Sequence, residues 1–499
     1  MKSRIKIAVK AACFVLLTCL CVWSVNELLK PKYYYNDDWP STNTFQDFYR
    51  LEKNSVDVLM FGSSHAMCAL DPLVLYDNYG ITSYNLSSEQ QSLVVTYYWL
   101  REALKYQTPK AVIVDTYMLH KFSDNYIYNE MNCSEGAVRK AMDNMRLSPL
   151  KWEAAQVIEK LDPTQDALSY LLLNIRYHTR WTDLGEGDYT QNAMVAHGAL
   201  KGYAMMDGAD PNLEYTPFTA AEAETADPDI MMGASKEYLD KIVALCKEEG
   251  IQLILANIPC AETAGRYIST KDYADANGVP YYDFNEESLY RAIQYDASQD
   301  LLSHPNYRGA EKVSNYLGKV LVEEYGVTPR TDASYDACRA LHDHIMDNFR
   351  LSQTEDMRQY LSLLENDAYT VFIFGSTAFS AGIDESLMNQ LFALGFETEL
   401  REVPDGYHYC AVKDGDRFVE QLTDKDLQVS GSIRGGLVPY VFQVDTRNMT
   451  QKTYSLTLDG VEYAQSGPGL NFIVYDNEMK EVVDRVCFDT TTPELTAAR

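Results

Sequence analysis

Short, predominantly apolar runs, each broken off by a polar or glycine-bearing turn, constrain this chain most. Val56–Phe61, Ala111–Asp115 (AVIVD) and Ile251–Pro259 (IQLILANIP) lack the polar alternation of a strand with one wet face. They therefore read as strands of a parallel sheet covered on both sides. Ile81–Leu86 and Val279–Phe284 extend the series. Between them, Val94–Gln107 carries apolar residues at helical spacing and stops before Pro109, and the amphipathic Lys236–Glu249 stops at Gly250. Strands alternating with helices make βαβ units, so the expected fold class is α/β.

From Met118 to about Ala234 the alternation lapses. Helical stretches at Leu150–Leu161 and Asp166–Tyr177 lead into YHTRWTDLGEGDY, which is aromatic and charged together. A helical insertion over about 120–234 is expected, forming a lid or binding wall above the strand ends, with His178, Arg180 and Trp181 as its substrate-binding residues. Residues 331–366 read as a polar helical linker. His342 and His344 lie two apart, so on a helix they point to different sides and make no metal pair; both are expected to be solvated. From Ala368 the texture changes to short strands and turns, at Thr370–Phe374, Leu458–Gly460, Ser466–Gly469 and Asn471–Tyr475, which predicts a second, β-rich domain over 367–499.

A length of 499 residues exceeds one ordinary core and fits two domains. The net charge of −29 excludes nucleic acid as a partner, because phosphate recognition needs clustered Lys and Arg. Ten cysteines without a CxxC pair signal neither a zinc site nor a dense disulfide framework. The amino end breaks with the acidity: Lys2, Arg4, Lys6 and Lys10 precede the uncharged run Ala11–Asn26. That run covers only ~24 Å of a ~30 Å hydrocarbon core, so Ile7–Val9 must join it while Lys10 snorkels to the interface. LCVWSVNELL offers no small-x-small cleavage site, which favours an uncleaved anchor over residues 1–30. Basic residues before the run place the amino end in the cytoplasm and the bulk outside. Residues 31–54, rich at first in Tyr, Asp, Pro and Asn, read as a stalk.

The first apolar run ends in Gly62-Ser63-Ser64-His65, at the sheet edge where ligands of open α/β folds bind. A serine needs a base to act as a nucleophile at neutral pH, and histidine is the usual one. His304 has the most informative setting of the eight histidines: DLLSHPNYRGAEKV follows the last expected strand and runs into a helix that Asn306 could cap. Asp300, four residues ahead, could hold the imidazole in the required tautomer. Each stretch also has a bland reading, a capped turn and a surface loop.

Together, GSSH after the first strand and an acid followed by H-x-N-x-x-G-A before the last helix resemble the SGNH/GDSL hydrolases. The likeness is to their membrane-anchored relatives, DltD and the alginate O-acetylation proteins, and it covers about Ser55–Tyr325. The resemblance implies a flavodoxin-like parallel sheet flanked by helices over 55–330, with Ser64 as nucleophile, His304 as base and Asp300 as orienting acid. The chain departs from the family at three places: Leu301 stands three residues before the histidine, Ser87-Ser88-Glu89 replaces the second glycine block, and Asp115-Thr116-Tyr117 replaces the GxND block. The N–H groups of Ser64 and Ser88 remain as oxyanion donors. Separately, Gly467–Thr490 with the preceding LDGVEYAQ resembles the closing segment of ILEI/PANDER-like domains, which implies a β-sandwich-like unit and glycan contact.

These expectations add up to a single-pass bacterial membrane protein. Its external part would be a serine acyl-ester hydrolase or O-acyltransferase acting on envelope polysaccharide, with no metal or cofactor. Its partners would be the glycan, the lipid bilayer and a membrane acyltransferase. The alternative is a non-catalytic scaffold of the same fold.

Overall fold

In the computed structural model, residues 2–31, 41–120, 130–185, 188, 200–445, 453–465 and 468–499 are described. Parts of the expected stalk (32–40) and insertion (121–129, 186–187 and 189–199), and Ser466 and Gly467 of the expected turn, lie outside the described residues. The chain divides into two units, Met1–Leu341 and His342–Arg499.

In the first unit, β1 (Val58–Phe61), β2 (Ser83–Asn85), β3 (Ala111–Asp115), β4 (Gln252–Asn257) and β5 (Tyr281–Asp283) form one sheet in the order β2-β1-β3-β4-β5. All its pairings are parallel, with Met60 opposite Asn85 on one side and Ile113 on the other. Side chains of a strand alternate between faces, and here both faces are covered. Val58, Met60, Ile113 and Ile254 pack on α4 (Pro72–Tyr79) and α10 (Tyr307–Glu323) through Leu75, Val313 and Leu317. Leu59, Phe61, Val112 and Leu255 pack on α5 (Leu93–Ala103), α8 (Gly233–Glu249) and α9 (Ala264–Asn277) through Tyr98, Trp99, Ile242 and Tyr273. That two-sided burial is why the runs carry no polar alternation, and each such aliphatic or aromatic side chain contributes roughly 1.5–3 kcal/mol. After β1 the chain pairs first on one side as β2 and then on the other as β3, so the topological switch point falls at the carboxyl end of β1.

The helix α1 (Lys2–Leu29) contains the one segment among the described residues, Arg4–Leu29, that is long and apolar enough to cross a membrane. The stalk expectation is corrected in its second half. Residues Ser41–Phe48 form α2, and Phe45 and Phe48 are buried against Trp99 and Tyr84, with ring centroids 4.6 and 5.7 Å apart. The insertion also differs from a lid over much of its length: α6 (Glu135–Met142) and α7 (Pro149–Leu161) place Val138, Met142, Ala154 and Ile158 in the same core as α5. The segment 200–208 returns to the sheet edge, where the Ala204 N–H donates to Met67 O at 2.9 Å.

The second unit has a six-stranded antiparallel sheet, containing Tyr369–Thr377, Tyr407–Asp414, Gly469–Asp476 and Glu481–Phe488 among its strands, and a four-stranded one built around Val438–Asp445. Phe372, Phe374 and Val412 of the larger sheet meet Phe442 and Leu456 of the smaller. Its opposite face buries Tyr369, Ile373 and Phe472 under helices Met357–Leu363 and Glu385–Ala393. His344 is not solvated as expected: its Nε2 lies 2.7 Å from the buried Asp476 carboxylate.

Candidate active site

The site begins where β1 runs out. Gly62 is required there by space, since a Cβ would sit 2.4 Å from Cβ of Asp115 and 2.7 Å from Cβ of Ala66. Ser63 caps the short helix α3 (Ser64–Ala69), its hydroxyl accepting from the His65 N–H at 3.3 Å. The same hydroxyl donates to Asp115 Oδ2 at 2.8 Å, and the Ser63 N–H donates to that oxygen at 3.2 Å. Asp115 Oδ1 meanwhile accepts from the Tyr117 N–H at 3.1 Å. Burial pushes the Asp115 carboxyl up to about 6 against the pull of these bonds. The residue before Ser64 is thereby fastened to the end of the neighbouring strand.

Ser64 opens α3, so its N–H has no intrahelical acceptor. Its Oγ lies 2.8 Å from His304 Nε2. Both residues are only partly buried, so a small group can reach them. Burial lowers the His304 pKa from its ordinary value, which favours the neutral imidazole able to accept a proton. The turn that carries His304 is held in an unusual backbone state: Leu301 (φ 63°, ψ 169°) and Ser303 (φ 65°) have positive φ without being glycine. Such residues cost roughly 1–3 kcal/mol each and persist only where neighbours impose them. Here the Tyr295 hydroxyl donates to Leu301 O at 2.6 Å, and the Ser303 N–H donates to Pro259 O at 2.9 Å. Asn306 caps α10 as the sequence suggests, its Oδ1 accepting from the N–H groups of Arg308 and Gly309.

The remaining expected residues stand elsewhere or are otherwise engaged. Asp300 Oδ2 accepts from the Asp296 N–H at 2.7 Å and from Lys312 Nζ at 2.5 Å, while Oδ1 takes no hydrogen bond. Its carboxylate ties down the start of α10 and does not hold the imidazole. The Ser88 N–H donates to Gly62 O at 3.2 Å and the Ser88 hydroxyl to Gln91 Oε1 at 3.0 Å, so that N–H is already spent and does not serve as an oxyanion donor. Arg180 donates to Leu29 O at 2.8 Å and to Asp188 at 2.8 Å, which puts it at the end of α1; His178 Nδ1 contacts Ile175 O at 3.2 Å, and Trp181 is exposed. None of these bonds joins His178 or Arg180 to Ser64 or His304.

Sequence reasoning missed His65, Tyr117 and the grip of Asp115. The His65 ring lies 3.7 Å from that of Tyr117, tilted 38° to it, and stands edge-on to His304 at 5.3 Å. Burial, and after it the proximity of His304, keeps His65 neutral by lowering its pKa well below the ordinary value. The signal was present for Asp115, an acid ending a wholly apolar strand, but its partner could not be read from spacing.

No family model matches the chain, and no curated protein sequence matches it. Among solved structures, the chain is similar to a GDSL-like lipase from Bacteroides thetaiotaomicron, at 11% sequence identity with a TM-score of 0.22, the match covering 61% of this chain and 98% of that one.

Proposed function

We propose that this chain is a membrane-anchored, extracytoplasmic serine acyl-ester hydrolase or O-acyltransferase of SGNH type that acts on an envelope polysaccharide. The observation that carries the reading is the 2.8 Å approach of Ser64 Oγ to His304 Nε2 at the switch point of a parallel sheet. Ser64 Oγ attacks the ester carbonyl carbon and passes its proton to His304 Nε2. The tetrahedral intermediate collapses, Nε2–H returns the proton to the departing alkoxide, and Ser64 keeps the acyl group. Water or a sugar hydroxyl, deprotonated by His304, then resolves the acyl-enzyme, giving hydrolysis or transfer. The Ser64 N–H, first in its helix, faces no intrahelical carbonyl and is the oxyanion donor retained in this reading. No metal or cofactor takes part.

The basic residues ahead of the apolar run orient α1 with its amino end in the cytoplasm. The second unit, with its two antiparallel sheets, is assigned an ILEI/PANDER-like role in holding glycan, beside a membrane acyltransferase as partner. The test is covalent. The full-length chain in detergent is treated with a fluorophosphonate and the adduct mapped by peptide mass spectrometry; an adduct on Ser64 is expected, and an unlabelled Ser64 in protein with an intact thermal transition would overturn the enzymatic reading. One observation favours a second reading, a non-catalytic scaffold: the Ser88 N–H is spent on Gly62 O, leaving a reduced set of oxyanion donors.

A further inference from the structure

Away from Ser64, the last turns of α1 stand against residues 143–147 and 170–173 and leave a cleft of about 590 Å³ between them. The end of α1 is fastened there. Asn26 Oδ1 accepts from the Asn174 N–H at 3.1 Å, Leu29 O accepts from Arg180 at 2.8 Å, and Leu29 forms a small core with Leu173 and Tyr177. One wall of the cleft is therefore the membrane-crossing candidate itself, at the end where it leaves the apolar run.

The lining divides into an apolar and a cationic part. Val22, Trp23, Leu147 and Leu172 supply the first, and Trp23 and Leu147 are 62% and 74% exposed, which is costly in water but not against acyl chains. Among the charged lining residues, Glu27 pairs with Lys30, and Asp143 is taken by Arg139 and the Tyr177 hydroxyl. Arg146 and Lys151 are satisfied differently. Arg146 stacks 4.1 Å over the Tyr49 ring and donates to the Tyr106 hydroxyl at 3.3 Å. Lys151 Nζ donates to the carbonyls of Asp143 and Met145 at 3.3 and 2.9 Å, and burial lowers its pKa to about 8. An anion in the cleft would meet these cations without displacing a carboxylate.

We infer that this cleft binds an anionic phospholipid of the bilayer, its headgroup phosphate on Arg146 and Lys151 and the start of an acyl chain along Val22, Trp23 and Leu172. The volume lies within the range of ~300–1,000 Å³ typical of ligand sites, enough for a headgroup and the first methylenes while the chains stay in the bilayer. The net charge of −29 repels an anionic surface at long range, so retention would reflect these local groups and not a general basic patch. The inference rests on α1 crossing the membrane and is independent of any chemistry at Ser64.

The test uses the full-length chain in phosphatidylcholine nanodiscs, after flotation with phosphatidylcholine liposomes has shown that α1 inserts. Phosphatidylglycerol is titrated in, and lipid retained after transfer to detergent is counted by native mass spectrometry. One phosphatidylglycerol retained in preference to phosphatidylcholine is expected, with at least a tenfold loss in Arg146→Glu and in Lys151→Met. The thermal transition of each variant in pure phosphatidylcholine is checked, and Arg146→Glu, at an exposed position, carries the test if Lys151→Met fails to fold. Equal retention of both lipids, undiminished retention in a folded Arg146→Glu, displacement by millimolar glycerol phosphate, or a co-purifying polypeptide occupying the cleft would each overturn the inference.

Discussion

Ser64 Oγ and His304 Nε2 stand 2.8 Å apart although 240 positions separate them in the chain. The parallel sheet makes the meeting possible, because β1 and the loop before α10 both end at its carboxyl edge. If the pair is a nucleophile and its base, Ser64→Ala will abolish fluorophosphonate labelling. His304→Gln will slow it by roughly 10²–10⁴-fold, the range for removing a general base. Labelling of His304→Gln at the wild-type rate would remove His304 from the mechanism.

Burial lowers the His304 pKa, so the neutral base persists below the ordinary histidine value of 6.5. The labelling rate of Ser64 should therefore rise with pH along a limb whose midpoint lies below 6.5 and stay flat to pH 8. A midpoint above 7 would mean that a nearby anion dominates over burial.

Gly62→Ala drives a methyl group to within 2.4 Å of Cβ of Asp115 and 2.7 Å of Cβ of Ala66, neither of which can rotate away. Overpacking of this kind costs about 1–3 kcal/mol. Urea unfolding should show that loss, and labelling of Ser64 should slow because the turn must shift. An unchanged midpoint would show that the turn gives more easily than the geometry suggests.

Asp115 provides a pH signature. Its native carboxyl titrates near 6, above the ordinary 3.8, so the folded state holds the proton more tightly than the unfolded one. Stability from this group is full at low pH and falls as pH rises from about 4 through 6, by about 2–3 kcal/mol in all. Asp115→Asn keeps an acceptor for Ser63 and removes the charge. Relative to wild type it should gain stability between pH 4 and pH 7, measured by urea midpoints; a constant difference across that window would contradict the buried titration.

His344 carries the same sign in the second unit, in a higher pH window. The hydrogen bond to Asp476 raises its pKa above 6.5 in the folded state. Its contribution is complete below 6.5 and is lost as pH rises through the raised value. Wild type should thus lose stability relative to His344→Gln on going from pH 6 to pH 9, read from the thermal transition of the second unit. Parallel curves for the two proteins would mean that the pair contributes equally in both protonation states.

Much of the architecture was legible in the chain. AVIV, ahead of Asp115, and VLMF carry apolar residues at every position, and a strand covered on both faces uses such a run, so the parallel sheet followed from local pattern. The Gly62–His65 turn and the Asn306 cap were legible for the same reason, since each acts within a few residues of itself. Phe45 and Phe48 were misread because their neighbours Tyr33–Asn36 and Asp37–Pro40 hide the short apolar stripe of α2.

What the sequence by itself determined is the set of elements: an apolar amino-terminal helix, an α/β layer whose first strand ends at a serine, and a β-rich second unit. Only the tertiary structure decided which polar groups meet. Asp300 stands four residues from His304 yet bonds Lys312, Ser88 spends its N–H on Gly62, and Asp115, 52 positions from Ser63, holds it by two hydrogen bonds. Apolar periodicity is written along a single element and survives in the sequence. The direction of a carboxylate is set by which donors packing brings within about 3 Å of it, and that distance belongs to the assembled fold.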